Sequence, residues 1–208
     1  MIIRPCVDDK VFPFLMIDNF YNEEEQELIW DELCGTEKLG KLFLKTPNNA
    51  GVATDNEGNE LAELRRYGLD EIYNGNRDES SIFKVYSKIT SKEVIDAYVE
   101  TTPSWRTFVS TNNDCTIVNY YDHGHHYKEH TDVFMHSCLI FFYLQPKKFT
   151  GGDLVFTDSG ATVECLHNRM ILFPSYYLHK VTEIEMNEED RNKGLGRYSF
   201  AHFYTYNN

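Results

Sequence analysis

Hydrophobic and polar positions along the chain change period twice. An apolar run at 11–17 predicts an opening strand. Asn22 follows, with Glu25 three residues on, as in a capping box. Glu23, Glu24 and Glu25 suit the positive end of a helix. Ile29, Trp30, Leu33 and Cys34 then recur at helical spacing, and Gly35 is a plausible stop. Residues 46–80 break the pattern: the runs 47–51, 55–59 and 74–76 are polar and turn-rich. So long a weakly structured stretch is commonly functional, and it is read as a candidate mobile lid. Ile82, Phe83, Tyr86 and Ile89 return to helical spacing, and a second helical piece spans 91–99. From Trp105 the period becomes two. Short aromatic or β-branched runs at 105–110, 116–121, 127–132, 138–145, 153–157, 161–166, 170–174, 178–184 and 197–206 predict strands. Gly151-Gly152 marks a tight entry and Asp158-Ser159-Gly160 a hairpin turn. Many short strands behind a helical opening predict a mainly β fold with flanking α-helices, a sandwich or jelly roll. No internal repeat or boundary divides the chain, so residues 1–208 are expected to form one domain.

Composition narrows the function classes. The chain has 208 residues, 41% hydrophobic and 25% charged, with a net charge of −13. That size suits one domain with a sizeable core. The acidic balance supplies no whole-domain basic footprint for nucleic acid, although a local basic patch is compatible with it. No apolar run approaches the roughly 20 residues of a membrane span, and no secretory signal layout opens the chain. The five cysteines, Cys6, Cys34, Cys115, Cys138 and Cys165, are odd in number and lack CxxC spacing. Free thiols and a cytoplasmic location are therefore expected.

The chemistry concentrates near one stretch, residues 119–132. His130 and Asp132 form a His-x-Asp pair, and residues two apart on a strand share a face. One imidazole and one carboxylate are two members of the 2-His-1-carboxylate triad that holds non-haem Fe(II). His179, in a separate strand-like run, is well placed as the third. Arg197 opens the last run and could hold an acidic co-substrate; Arg191 is a competing anchor in a polar loop. His123, His125 and His126 are read as a solvated turn. His136 and His167 have no evident partner, and His202 is a candidate substrate contact. Arg65 and Arg66 are read as a solvated pair that could meet an acidic or peptide partner.

In its motifs the sequence resembles the Fe(II)/2-oxoglutarate-dependent dioxygenases, in the prolyl 4-hydroxylase-like branch. Tyr121, Gly124, Tyr127, His130 and Asp132 match that branch's Tyr-x-x-Gly-x-x-Tyr-x-x-His-x-Asp. Phe142-Tyr143-Leu144 with Gly151-Gly152-Asp153-Leu154-Val155-Phe156 matches a second motif, Asp153 taking its acidic place. Leu172-Phe173-Pro174-Ser175 before His179-Lys180-Val181 matches the third-ligand segment, and Arg197-Tyr198-Ser199 the co-substrate anchor. The chain departs from the pattern in an insertion at 188–196 and in Asn168, which replaces a turn glycine. The resemblance implies a double-stranded β-helix, Fe(II) held by His130, Asp132 and His179, and 2-oxoglutarate and O₂ as co-substrates, with ascorbate as a reductant. It implies Arg197 on the distal carboxylate, with Tyr143 beside it and Tyr121, Tyr120 or Tyr127 near the iron. A guanidinium suits that role because it can hold a carboxylate through two bonds. Asp132 occupies the position that related halogenases leave vacant.

The activity so implied is hydroxylation of an unactivated C–H, foremost prolyl 4-hydroxylation of a peptide or protein, as 2-oxoglutarate is converted to succinate. A free amino acid or other small molecule is the second substrate class. Nucleic-acid demethylation is the third, disfavoured by charge. A non-catalytic jelly-roll metal binder or interaction module is the reading from a different class.

Overall fold

A computed structural model describes residues 1–6, 12–35, 39–40 and 51–207 of the chain. The first strand precedes the expected one. Ile2–Cys6 forms β1 and pairs antiparallel with β2, Phe14–Asp18. β1 lies at a sheet edge, the position where a proline such as Pro5 is tolerated in a strand. Of the opening run expected at 11–17, Val11 lies outside the described residues. The helix Glu23–Trp30 follows with both halves of its capping box in place. Asn22 Oδ1 accepts from the Glu25 N–H at 2.8 Å, and Glu25 Oε2 accepts from the Asn22 N–H at 2.7 Å. The helix widens into a π turn, Asp31–Gly35. There the buried Glu32 carboxylate accepts from Tyr73 Oη at 2.7 Å, Ser80 Oγ at 2.9 Å and the Ile82 N–H at 2.8 Å.

The stretch 46–80 is more structured than its composition suggests. Residues 46–50 lie outside the described residues. Residues 54–60 form a polar hairpin closed by a single bridge between Thr54 and Glu60. Beyond it come β3, Ala62–Glu63, and β4, Arg65–Gly68, then a helical turn, Leu69–Ile72. The reason is local. Ala62, Leu64 and Leu69 are buried anchors spaced through a polar background, and they commit the segment to the core.

The helices Ser81–Tyr86 and Lys92–Thr101 match the periodic apolar positions, which bury Ile82, Phe83, Val94 and Tyr98. The expected strand at 105–110 is instead a helical turn, Trp105–Phe108. Its apolar residues stand three apart, so a helix puts both on one face, and both pack into the core under the helices.

The remaining strands follow in order: β5 Asn113–Tyr121, β6 His126–His130, β7 His136–Phe142, β8 Phe149–Thr150, β9 Leu154–Phe156, β10 Ala161–Val163, β11 Arg169–Pro174, β12 His179–Val181, β13 Glu185–Met186 and β14 Arg197–Thr205. They build a seven-stranded sheet, β1-β2-β11-β7-β14-β5-β4, and a five-stranded sheet, β10-β9-β12-β6-β3. The helices cover one face of the large sheet and the small sheet faces the other. Alternation divides each central strand between two cores. On β14, Tyr198, Phe200 and Tyr204 pack toward the helices, whereas Ala201 and Phe203 pack between the sheets. On β7, Cys138, Ile140 and Phe142 go one way and Leu139 and Phe141 the other. Being buried on both faces makes these strands read as continuous apolar runs. No helix among the described residues is long and apolar enough to cross a membrane. Cys34, Cys115, Cys138 and Cys165 are free thiols.

Candidate active site

His130 ends β6 and His179 begins β12, and the two are cross-strand partners. The register between these strands slips: Val181 pairs with Tyr127, so three steps on β6 face two on β12. Such a bulge lets Tyr127 and His130 share the inward face while Lys128 and Glu129 both stay exposed. The Tyr127 ring stacks on the His130 ring with centroids 3.7 Å apart. Asp132 does not lie on the strand. It follows the strand end, where its N–H donates to Ser175 O at 3.0 Å. Its Oδ2 accepts from Ser137 Oγ at 2.5 Å, and Ser137 in turn bonds Ser175 Oγ at 2.7 Å.

The donor set suits a transition metal. His130 Nδ1 lies 2.8 Å from Lys128 O, and His179 Nδ1 lies 2.8 Å from Tyr177 O. A carbonyl can only accept, so each Nδ1 carries the proton and each Nε2 presents a lone pair. The two Nε2 atoms stand 3.7 Å from Asp132 Oδ1 and Oδ2 respectively. Burial, and next the neighbouring His179, push the His130 imidazole down to about 4, so it is neutral at neutral pH. Among the described residues, His130, Asp132 and His179 are the one group of three whose ligand atoms could share an ion, all within 4.8 Å of one another.

Arg197 lies in the same cavity and is 1% exposed. Its guanidinium is sandwiched between the rings of Tyr121, 4.7 Å away, and Phe141, 4.4 Å away. None of its three nitrogens has a hydrogen-bond partner. A buried cation in that state costs several kcal/mol, and the edges left open fit a carboxylate. The room for it depends on Gly152, which has a positive φ of +74° and whose added Cβ would come within 2.8 Å of Arg197 Cδ. Tyr121 pairs directly with Arg197 across the sheet. Burial raises its phenol, and the guanidinium pulls in the opposite direction.

Other residues singled out from sequence fall elsewhere. Tyr143 lies one residue past β7, packs on Phe149 and His167, and is not among the cavity's lining residues. Tyr120 turns to the helix face, where its hydroxyl donates to Asp122 at 2.9 Å. Arg191 donates to Met186 O from its loop. His202 is not at the mouth. It is buried on the helix face, bonded to Thr116 Oγ1 at 2.8 Å and stacked on Tyr86. Five positions from Arg197 is an odd number, which on a strand means the opposite face. His123 is exposed and His125 and His126 half-buried. Each has a ring nitrogen near a backbone group: His125 and His123 accept from the Asp122 and Met186 N–H groups, and His126 meets Gly124 O. His136 bridges Tyr98 and Thr107, and His167 stacks on Trp30.

The cavity also includes Arg66, Asn119 and Ser199. Asn119 and Ser199 could have been found from sequence, being two residues from Tyr121 and Arg197. Arg66 could not, because its place depends on β4 pairing with β5. The Ser137–Ser175 pair that holds Asp132 had no sequence signal either.

Residues 115–205 match the family described as the 2OG-Fe(II) oxygenase superfamily. No curated protein matches the chain. Among solved structures, a Pseudomonas putida prolyl-4-hydroxylase shares 15% identity at a TM-score of 0.62, over 96% of this chain and 95% of that one. A 2OG-Fe(II) oxygenase family oxidoreductase from Burkholderia pseudomallei shares 14% at 0.54, over 94% and 86%. A Trichoplax adhaerens prolyl hydroxylase, solved with a hypoxia inducible factor peptide fragment, shares 12% at 0.59, over 92% and 83%. At such identities the likeness is one of fold, here the double-stranded β-helix. With the family match over 115–205, it makes this chain similar to the 2OG-Fe(II) oxygenases in that stretch and in fold.

Proposed function

We propose that the protein hydroxylates a prolyl C–H in a peptide or protein, using Fe(II), O₂ and 2-oxoglutarate. The observation that carries the co-substrate assignment is the buried, unpartnered guanidinium of Arg197 in the cavity of the His130–Asp132–His179 cluster. Those three side chains would hold the iron through two Nε2 atoms and one carboxylate. Bound there, iron with 2-oxoglutarate supplies the oxidising power for C–H cleavage. The chain contributes the rest. Arg197 holds the distal carboxylate, and Phe141 and Tyr121 keep the guanidinium flat and dry. Lys128 O and Tyr177 O lock the imidazole tautomers, and Ser137 fixes the carboxylate of Asp132. Tyr127 shields one face of His130 from water.

A peptide or protein substrate is supported by the rim. Asp132 and Ser175 are bonded to each other, and the next residue of each, Val133 and Tyr176, is an exposed apolar side chain, 93% and 66% accessible. The polar hairpin 54–60 also joins the metal-bearing strand. The Ala53 N–H donates to Tyr127 Oη at 2.8 Å, and the Lys128 N–H donates to Leu61 O at 2.7 Å. A free amino acid is the second reading, and the free thiols accord with the expected cytoplasmic setting. The test is an anaerobic titration of metal-free protein with Fe(II) and 2-oxoglutarate, followed by the visible charge-transfer band of the chelate. The band should form in the wild type, vanish in His179→Ala and weaken in Arg197→Ala; folded wild type without a band would refute the assignment. Aerobic turnover with ascorbate, the expected reductant, should then convert 2-oxoglutarate to succinate and add one oxygen atom to a proline peptide.

A further inference from the structure

Val133 and Tyr176 are the two most exposed large apolar side chains among the described residues. Single exposed apolar side chains are ordinary on a protein surface, but these two share one place. Val133 follows Asp132 and Tyr176 follows Ser175. Two backbone bonds fix the segments against each other: the Asp132 N–H donates to Ser175 O at 3.0 Å, and the Ser175 N–H donates to Met135 O at 3.1 Å. Aromatic rings carry the apolar surface inward from both. Next to Val133, Phe134 stacks on Phe203, which lines the cavity, with centroids 4.6 Å apart. Tyr176 meets Tyr177 edge-on at 5.0 Å; Tyr177 packs on Phe173, whose ring lies 5.2 Å from that of His179. Charge is scarce here. Apart from Asp132, neither 131–135 nor 174–178 holds a charged residue, in a chain of which 25% of residues are charged.

Position argues for the occupant. Consecutive Cα atoms stand about 3.8 Å apart, so Val133 and Tyr176 lie one residue out from Asp132 and its backbone partner. A peptide whose target residue reaches the triad brings the residue beside the target over these two side chains. A free amino acid ends inside the cavity and leaves both bare. A second copy of this chain fits less well, because a stable dimer buries about 1,200–2,000 Å², far more than two side chains supply. We propose that Val133 and Tyr176 are specificity-determining residues, and that they select a peptide with an apolar side chain directly beside the target proline. Such a side chain takes both apolar surfaces out of water. A charged one in its place loses water and meets no countercharge on either segment beyond Asp132, which the metal claims. The inference rests on the oxygenase reading and deepens it by naming the chemistry of the residue next to the target.

The test uses Mn(II)-loaded protein with 2-oxoglutarate, which binds without turnover, and reads affinities by calorimetry. The probes are a capped peptide with leucine on both sides of one proline, its serine counterpart, and free L-proline; both peptides end in lysines for solubility. The wild type should bind the leucine peptide at least tenfold tighter than the serine peptide, as burial of apolar side chains allows. Val133→Ser and Tyr176→Ser should each cut that ratio at least threefold by weakening the leucine peptide alone, and Val133→Ile should keep it. The affinity for 2-oxoglutarate should stay within twofold in all three variants. Equal affinity for the two peptides in the wild type, a ratio that survives both serine variants, or binding of L-proline with neither peptide overturns the assignment. A loss shared equally by both peptides marks a structural effect, and a loss of 2-oxoglutarate binding moves the residues to the co-substrate site; either overturns it. Light scattering that finds a dimer in the wild type and a monomer in Val133→Ser gives the surface to a second copy and overturns it too. Failure of the wild type to bind Mn(II) and 2-oxoglutarate sinks the oxygenase reading itself, and this inference with it.

Discussion

At the scale of the residue, the site combines a satisfied part with an unsatisfied one. The two histidines and Asp132 have every outer bond made, to Lys128 O, Tyr177 O and Ser137 Oγ. Arg197 has none. A buried charge left without a counter-ion destabilises the fold, and replacing such a group by an apolar one of similar volume is often stabilising by about 1–4 kcal/mol. Arg197→Met should therefore raise the urea midpoint of the ligand-free protein by that order, and should lose the stabilisation that 2-oxoglutarate with metal gives the wild type. A lower midpoint in ligand-free Arg197→Met would show that the guanidinium already has a partner. His130, His179 and Arg197 were all legible in the sequence, because each sits in a motif whose residue types are rare together. Tyr143 was placed by motif position alone. The strand that would have aimed it ends at Phe142, and it packs against Phe149 and His167 instead.

At the scale of the element, β6 does the most. Its bulge against β12 brings Tyr127 and His130 to one face, and its start receives the ends of the 54–60 hairpin. The hairpin tip is ordered by its own chemistry, with Asp55 Oδ1 accepting from the Glu57 and Asn59 N–H groups at 2.9 Å each. The Asn59 side-chain amide, which donates to Asp55 Oδ2 at 2.9 Å, and next these backbone bonds hold the Asp55 carboxyl below its usual range. If the hairpin covers a peptide substrate, replacing 54–60 by a short glycine–serine linker should abolish peptide hydroxylation and keep the Fe(II)–2-oxoglutarate band. Unchanged peptide turnover would rule out that role. The sequence reading took 46–80 as one loose excursion because polar and turn residues dominate it. It missed that Ala62, Leu64 and Leu69 are enough to bind the second half into both sheets, and so it took Arg66 for a solvated residue.

At the scale of the whole molecule, two cores share the large sheet, and histidines are buried within them. Burial pushes His136 down to about 4, and burial with the nearby Arg77 charge pushes His202 down to about 3. An unfolded histidine titrates near 6.5. Below that pH the unfolded chain takes up protons that the folded one refuses, so stability falls as pH falls, by up to about 1.4 kcal/mol per pH unit per histidine. Urea midpoints should therefore drop from pH 7 to pH 5 in the metal-free wild type, and the drop should be shallower in His202→Gln. An equal slope in both would show that His202 does not drive it.

The sequence by itself determined the period of most elements, the order of the motifs and which side chains, His130, Asp132, His179 and Arg197, gather in one cavity. These are properties of residues close together in the chain, and alternation carries them to the correct face of a strand. Only the tertiary structure decided which faces meet. It put Ser137 and Ser175 on Asp132, joined β4 to β5 so that Arg66 lines the cavity, and sent His202 into the helix-side core. The physical reason is that strand pairing across long separations depends on the summed burial of many side chains, which no local pattern records.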